Sequence, residues 1–232
     1  PPSHSESSKR DVEASHVFDE IRSVMASKHF RILFVLSGVG LGFFNAITTL
    51  VELLVSKSGY SVDDAALFSG LLLGCGLLNA IVVGVLLDRW HAYNKTLRVS
   101  ALGASAVLVV LLLLLRPDMT AAISAAFAVL GALMLPLLPV AFECAVECTY
   151  PVSEEISTGL LMSAGQIGGI VFILVLGPLI DAQPDFTEYV FEPAYIITAV
   201  IAVVFGVGAQ VYNGPTLRLD AESAADAADL SP

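Results

Sequence analysis

Residues Ala65–Leu87 read AALFSGLLLGCGLLNAIVVGVLL, without a charged side chain. A helix needs roughly 20 mostly apolar residues to cross the hydrocarbon core of a bilayer. A strand is disfavoured here, because backbone groups facing lipid need hydrogen bonds that are closed within the segment. This stretch therefore predicts a membrane-spanning helix.

Further stretches of the same kind lie on both sides of it. Across the chain, 56% of residues are hydrophobic and only 14% are charged, whereas soluble domains carry about 25% charged residues. We therefore expect an all-α membrane protein, a six-helix transmembrane bundle over 30–212. The predicted spans are 30–55, 65–87, 97–115, 121–144, 156–180 and 191–211.

The segments outside the bundle are polar. We expect residues 1–29 to form a cytoplasmic linker, and residues 213–232 to form a disordered acidic tail with too little apolar surface to bury. The net charge of −11 lies in tails and loops. No basic patch is present, so nucleic acid is not an expected partner. The lipid bilayer is.

Basic residues predict the orientation, because cytoplasmic loops carry an excess of Lys and Arg. With six spans both termini lie on one side. That side collects all of the 11 Lys and Arg residues except Lys57 and Arg116. We therefore expect an integral multi-pass protein with both termini in the cytoplasm, and we expect its location to be the plasma membrane.

Glycines recur at four-residue spacing in three spans. The pairs are Gly38 with Gly42, Gly70 with Gly74, and Gly165 with Gly169. Each pair lies on one helix face and allows close helix approach. Static packing and a surface on which helices rock during transport are both open interpretations. Asn79, also inside a span, is expected to bond a neighbouring helix.

The loop after the second span contains a motif with a known counterpart. Gly84 is followed by Asp88 and Arg89, and then by Lys95 and Arg98. This pattern resembles the Gly-x-x-x-Asp-Arg loop of the major facilitator superfamily, which lies on the cytoplasmic side of each six-helix half. The resemblance implies an inner gate built from these five residues. The alternative is an ordinary basic loop that sets membrane orientation.

A longer motif narrows the resemblance. Residues 142–151 read FECAVECTYP, followed by TGLL at 158–161 and AGQIGG at 164–169. These segments are similar to the FLVCR family, the feline leukaemia virus subgroup C receptor-related transporters of that superfamily. The resemblance implies half of a facilitator fold, with these spans as helices seven to twelve. The partner would be an N-terminal six-helix half absent from this chain.

The same resemblance implies transport of a small organic solute by alternating access, with choline, ethanolamine or haem as the expected cargo. The family's glutamine in helix eleven matches Gln166, and its tyrosine in helix seven falls on Asn45, beside Phe43 and Phe44. These four residues are the candidate substrate-binding set. From its chemistry alone, Gln166 either lines a solute path or bonds a neighbouring helix.

Two acidic residues lie near the cytoplasmic end of the fourth span. Glu143 and Glu147 are four residues apart and therefore share a helix face. We expect them to pair with Arg89, Lys95 or Arg98 and to lock the inner gate. The alternative is that they carry protons.

Other function classes find little support in the residues. All four histidines lie outside the spans, and no Asp pair lies within them, so an intramembrane protease is not expected. Cys144 and Cys148 share a face without a histidine nearby, so neither a metal nor a cofactor is expected. A proton-coupled exporter of drugs or organic anions, and an inactive truncated half-transporter, remain the alternatives.

Overall fold

The computed structural model describes residues 16–183 and 193–229, and its regular structure in these ranges is helical without strands. The residues 1–15, 184–192 and 230–232 lie outside this part, and with them the start of the predicted linker and of the last predicted span. Helix α1 covers 16–26. The helices that follow are α2 (Lys28–Ser56), α3 (Val62–Trp90), α4 (Tyr93–Leu114), α5 (Thr120–Met134), α6 (Leu137–Thr149), α7 (Glu154–Asp181), α8 (Pro193–Ala209) and α9 (Leu217–Asp229).

Five segments are long and apolar enough to cross a membrane. They are α2, Val62–Leu87 of α3, α4, the combined α5 and α6, and α7. Helix α8 has 17 described residues, which is about 26 Å at 1.5 Å per residue. That length is the lower limit for a span. The prediction of an all-α membrane bundle is confirmed, and α8 is shorter over its described residues than the five segments above.

The fourth predicted span is two helices rather than one. Helix α5 ends at Met134, and α6 starts after Leu135 and Pro136. Because Pro136 has no backbone N–H, the carbonyl oxygen of Ala132 loses its partner four residues later. The side chain of Asn79 on α3 replaces it, since Nδ2 donates to Ala132 O at 2.7 Å. The prediction that Asn79 bonds a neighbouring helix is confirmed.

Helices α3 and α5 meet at glycines that the spacing pattern did not single out. A methyl group on Gly131 would overlap the carbonyl of Leu72, and one on Gly76 would lie 2.8 Å from Gly131 O. Leu72, Gly76 and Asn79 recur every three or four residues and so share one face of α3. Gly70 and Gly74 have open space around them in the described chain. The contact face of α3 is therefore not the one predicted.

Buried apolar side chains form two clusters, one toward each end of the helices. Near the α2–α3 loop, Phe68 stacks on Phe127 with ring centroids 5.4 Å apart. Near the start of α2, Phe30 and Tyr212 are fully buried in the second cluster. We call these the outer and inner clusters, after the orientation that the basic residues predict. Burying one such ring contributes roughly 1.5–3 kcal/mol in water, whereas within lipid the gain comes mainly from close packing.

The loops at the outer end are tied together by hydrogen bonds. The hydroxyl of Tyr60 donates to Arg116 O at 2.6 Å and accepts from the backbone N–H of Met119 at 3.0 Å. One residue later, Ser61 and Asp64 form a reciprocal capping box at the start of α3. The α2–α3 and α4–α5 loops are thereby joined through one phenol.

The polar terminal segments are more ordered than their composition predicts. The tail that we expected to be disordered contains α9, which packs against α6. The alanines of α9 favour helix formation. The side chain of Asp220 in its first turn stabilises the helix by interacting with the positive end of the helix dipole. Within the expected linker, α1 buries Val24, and Glu20 accepts a hydrogen bond from Ser153 at 3.1 Å. Both α1 and α9 are ordered because they contact the bundle, and amino-acid composition alone does not reveal these contacts.

We predict that Asn79→Leu destabilises the bundle by about 1 kcal/mol or more. The leucine side chain cannot donate a hydrogen bond, so the Ala132 carbonyl is left without a donor in apolar surroundings. Thermal unfolding in detergent measures this as a lowered midpoint. Gln166→Leu is the matched control, since that exposed amide has no described partner. Equal midpoints for the two variants would contradict the role given to Asn79.

Candidate functional site

The most extensive contact between helices of the described chain joins α2 to α7. Gly38 lies against Ala164, Gly42 against Gly168, and Leu50 near Gly177. Because the residue numbers increase together, the two helices run parallel. A methyl group on Gly42 would lie 2.6 Å from the carbonyl carbon of Gly168, so only glycine allows this separation. Two of the three predicted glycine pairs, on α2 and α7, thus lie at this contact.

This contact positions the two amides of the candidate set. A methyl group on Gly169 would lie 3.1 Å from Asn45 Cβ, so Asn45 lies directly across from Gly169. Gln166 precedes Gly169 by three residues and is exposed, whereas Asn45 is half-buried. Neither side-chain amide has a hydrogen-bond partner among the described residues. The interpretation that Gln166 bonds a neighbouring helix is therefore not realised within this part of the chain.

The two candidate phenylalanines have different surroundings. Phe43 is 3% exposed and meets Phe172 edge to face, with ring centroids 5.8 Å apart. It is a side chain of the outer cluster and is not accessible to a solute in this conformation. Phe44 is half-buried and borders a cavity at the level where α5 and α6 separate.

That cavity has a volume of about 90 Å³ and lies between α2, the α5–α6 break, α7 and α8. Among the described residues that line it, Ser37 is the polar one and none is charged. Phe142 and Phe205 contribute two further rings. No sequence signal marks these two rings as cavity residues, because Phe205 lies in a uniformly apolar span and Phe142 was notable only as part of a motif.

The residues of the predicted inner gate lie around the α3–α4 turn. Gly84 has open space in place of a helix contact, and Arg89 and Lys95 are exposed. The side chain of Asp88 lies outside what the structure describes. Arg98 is engaged elsewhere, since its Nε donates to the carbonyl oxygen of Tyr212 at 2.7 Å.

The two glutamates of α6 differ in burial. Glu143 is exposed, whereas Glu147 is only 4% exposed. Glu147 Oε2 accepts a hydrogen bond from the backbone N–H of Leu219 at 3.3 Å, in the first turn of α9. The expected pairing of Glu147 with Arg98 is therefore replaced, because the segment after α8 returns to the bundle and supplies a different partner to each residue.

Tyr212 fixes that returning segment in the inner cluster. Its hydroxyl donates to Cys144 O at 3.2 Å. Burial raises the pKa of the phenol well above its usual range, so the hydroxyl stays protonated and remains a donor at physiological pH. Cys144 and Cys148 are buried beside it as free thiols. Among the described residues, no three His, Cys, Asp or Glu side chains are arranged to hold a metal ion.

Comparison with protein-family models gives no match, but known proteins align well. The chain is 31% identical over 163 residues to the human choline/ethanolamine transporter FLVCR2, covering 69% of this chain and 31% of that protein. It is 31% identical over 160 residues to solute carrier family 49 member A3 of Xenopus tropicalis, covering 68% of this chain and 33% of the relative. A third relative is an uncharacterized MFS-type transporter of Caenorhabditis elegans, 28% identical over 186 residues, which cover 80% of this chain and 32% of that protein.

This chain belongs to the FLVCR-related family of the major facilitator superfamily. The resemblance drawn from the motifs is thereby confirmed. It is a multi-pass integral membrane protein, and the names of its relatives support a non-enzymatic role. The FLVCR-related chain spans about a third of the length of the relatives it matches.

We predict that Gly42→Ala separates α2 from α7 in the FLVCR-related chain and destabilises it by about 1–3 kcal/mol, because the added methyl meets backbone rather than a flexible side chain. Gly70→Ala is the matched control, since its methyl group enters open space. The midpoint of thermal unfolding in detergent compares the two. A Gly42→Ala midpoint no lower than that of Gly70→Ala would show that the glycine contact is not required.

Proposed function

We propose that this chain is the C-terminal six-helix half of a secondary transporter that moves choline or ethanolamine by alternating access. The observation that carries the proposal is the kinship with choline/ethanolamine transporters, joined to two unpartnered amides beside the glycine contact of α2 and α7. The solute would bind between this half and an N-terminal half, near the middle of the bilayer.

The distribution of buried residues supports a missing partner half. In the apolar windows of α3 and α7, 17% and 28% of residues are buried, whereas the figure for α2 is 44%. Lipid or another bundle must cover the remaining faces. Gln166 lies on α7, and an exposed amide facing lipid would be costly. We therefore infer that the face of α7 carrying Gln166 turns toward the partner half and the solute.

The chemistry of the site supports a compact solute with an apolar body. Phe44, Phe142 and Phe205 border the cavity, and aromatic faces attract quaternary ammonium groups. Asn45 and Gln166 are not among the residues that line this cavity, but on the paired helices α2 and α7 they provide donors and acceptors for a hydroxyl or amine. An organic anion would call for a basic partner, and the cavity wall has none. The chemistry of the site therefore favours choline or ethanolamine over an organic anion as the solute.

Haem is the weaker candidate on the same grounds. A porphyrin with two carboxylates would need basic groups or an axial ligand, and the described residues that line the cavity include neither. Of the histidines of the described chain, His16 and His91 lie outside the spans, and His29 lies in the first turn of α2, at the very end of its span. We further propose that both termini of this chain face the cytoplasm and that the protein acts in the plasma membrane.

We predict that Gln166→Ala raises the KM for choline about tenfold in the full-length protein, because one hydrogen bond to the solute is worth roughly 1.4 kcal/mol when lost. Uptake of labelled choline into proteoliposomes measures this. Ser163→Ala is the matched control: Ser163 is also exposed on α7, but its hydroxyl donates to Gly159 O at 2.8 Å within the helix.

The same assay distinguishes the alternatives. Absence of choline and ethanolamine flux under every gradient would contradict the proposal, as would equal KM values for the two variants. Flux that follows a pH gradient and is lost in Glu147→Gln would favour a proton-coupled exporter instead. Flux by this chain without the N-terminal half would contradict the shared site.

A further inference from the structure

The segment between α8 and α9 crosses the cytoplasmic ends of α4 and α6 and is held there by hydrogen bonds. Asn94 Nδ2 donates to Gly214 O at 2.8 Å, and Arg98 Nε donates to Tyr212 O at 2.7 Å. From the end of α8, Gln210 Nε2 donates back to Arg98 O at 3.0 Å. We call residues 210–216, together with α9, the clasp.

A tight backbone approach supports the same path of the chain. A methyl group on Gly214 would overlap the phenol group of Tyr212, so the absence of a side chain at Gly214 allows the turn after α8 to pack onto this ring. Tyr212 is fully buried and reaches Cys144 O on α6. The clasp is thus anchored in the inner cluster before α9 begins.

The last contact of the clasp involves a buried charge. Glu147 is 4% exposed and accepts the backbone N–H of Leu219. That N–H lies in the first turn of α9, where backbone donors have no partner within the helix. A carboxylate at this end also interacts favourably with the helix dipole. Glu147 therefore acts as the cap of α9, although it lies on another helix.

We propose that the clasp withholds Arg98 and Glu147 from the inner gate, and so biases the transporter toward the state that is open to the cytoplasm. This inference rests on the proposed transport function. A buried carboxylate needs a donor. While α9 supplies one, Glu147 has no need of the basic loop; when α9 leaves, Glu147 pairs with that loop and the cytoplasmic side closes. The two partners compete, and their competition sets the populations of the two states.

One substitution removes the contact with little change to α9 itself. Leu219→Pro deletes the N–H that Glu147 accepts, at a position where the helix does not use that donor. Leu219→Ala keeps the N–H and removes only the apolar side chain, so it is the matched control. Glu147→Ala removes the acceptor from the other side and tests whether a proline effect within α9 is responsible.

The first readout is hydrogen exchange of residues 217–229 in the full-length protein. We expect exchange about three- to tenfold faster in Leu219→Pro and Glu147→Ala than in Leu219→Ala, as fits the loss of one charge-assisted contact at a helix end. Equal exchange in all three variants would overturn the clasp. This result does not depend on whether the protein transports choline.

The second readout is access to the cavity from the cytoplasm. Ser37 lines the cavity, so labelling of Ser37→Cys by an impermeant thiol reagent in inside-out vesicles follows opening of the gate. Peptide mass spectrometry separates it from Cys75, Cys144 and Cys148. We expect labelling about three- to tenfold slower with Leu219→Pro and unchanged with Leu219→Ala. If Leu219→Pro speeds hydrogen exchange of α9 but leaves the labelling of Ser37→Cys unchanged, the gating role is overturned. If exchange is faster but the full-length protein carries no choline, the proposed transport is overturned and the clasp stays supported.

Discussion

The structure depends on one constraint, which is that a backbone carbonyl inside a bilayer must find a donor within the protein. Long helices meet it along most of the chain. In the fourth span, Pro136 leaves the carbonyl oxygen of Ala132 without its helical donor. The side-chain amide of Asn79 donates to this oxygen instead. The repair requires α3 and α5 to approach closely, which Gly76 and Gly131 permit. The break also leaves an apolar cavity beside α6, so the constraint that fixes the fold shapes the candidate site as well.

Glycine contacts determine which polar groups face outward. The close approach of α2 and α7 fixes Asn45 opposite Gly169 and leaves Gln166 exposed a turn away. In this arrangement the two amides belong to helices that cannot slide apart without losing backbone contact. The bundle thus combines a closely packed α2–α7 pair with an interrupted fourth span. That combination suits a carrier in which one wall of the solute path is fixed and another can bend.

The sequence predicted most of the helices and the glycine faces of α2 and α7, because apolar runs and glycine spacing are local signals, but it did not predict that these two helices meet. Gly131 was not predicted as a contact, since it has no partner glycine four residues away and its role depends on Leu72 of another helix. The cap that Glu147 provides for Leu219 was missed for the same reason: it joins residues far apart in the chain. Phe43 was expected at the site through its neighbours, but helix rotation directs it into the outer cluster.

If the apolar helices cross a bilayer, the two ends of α4 lie on opposite sides of it. Arg89 precedes α4 and Arg116 follows it. Labelling of Arg89→Cys and Arg116→Cys by an impermeant thiol reagent in sealed vesicles of known orientation tests this directly. We expect Arg89→Cys to react only from the cytoplasmic face and Arg116→Cys only from the opposite face. Reaction of both from the same face would contradict the account.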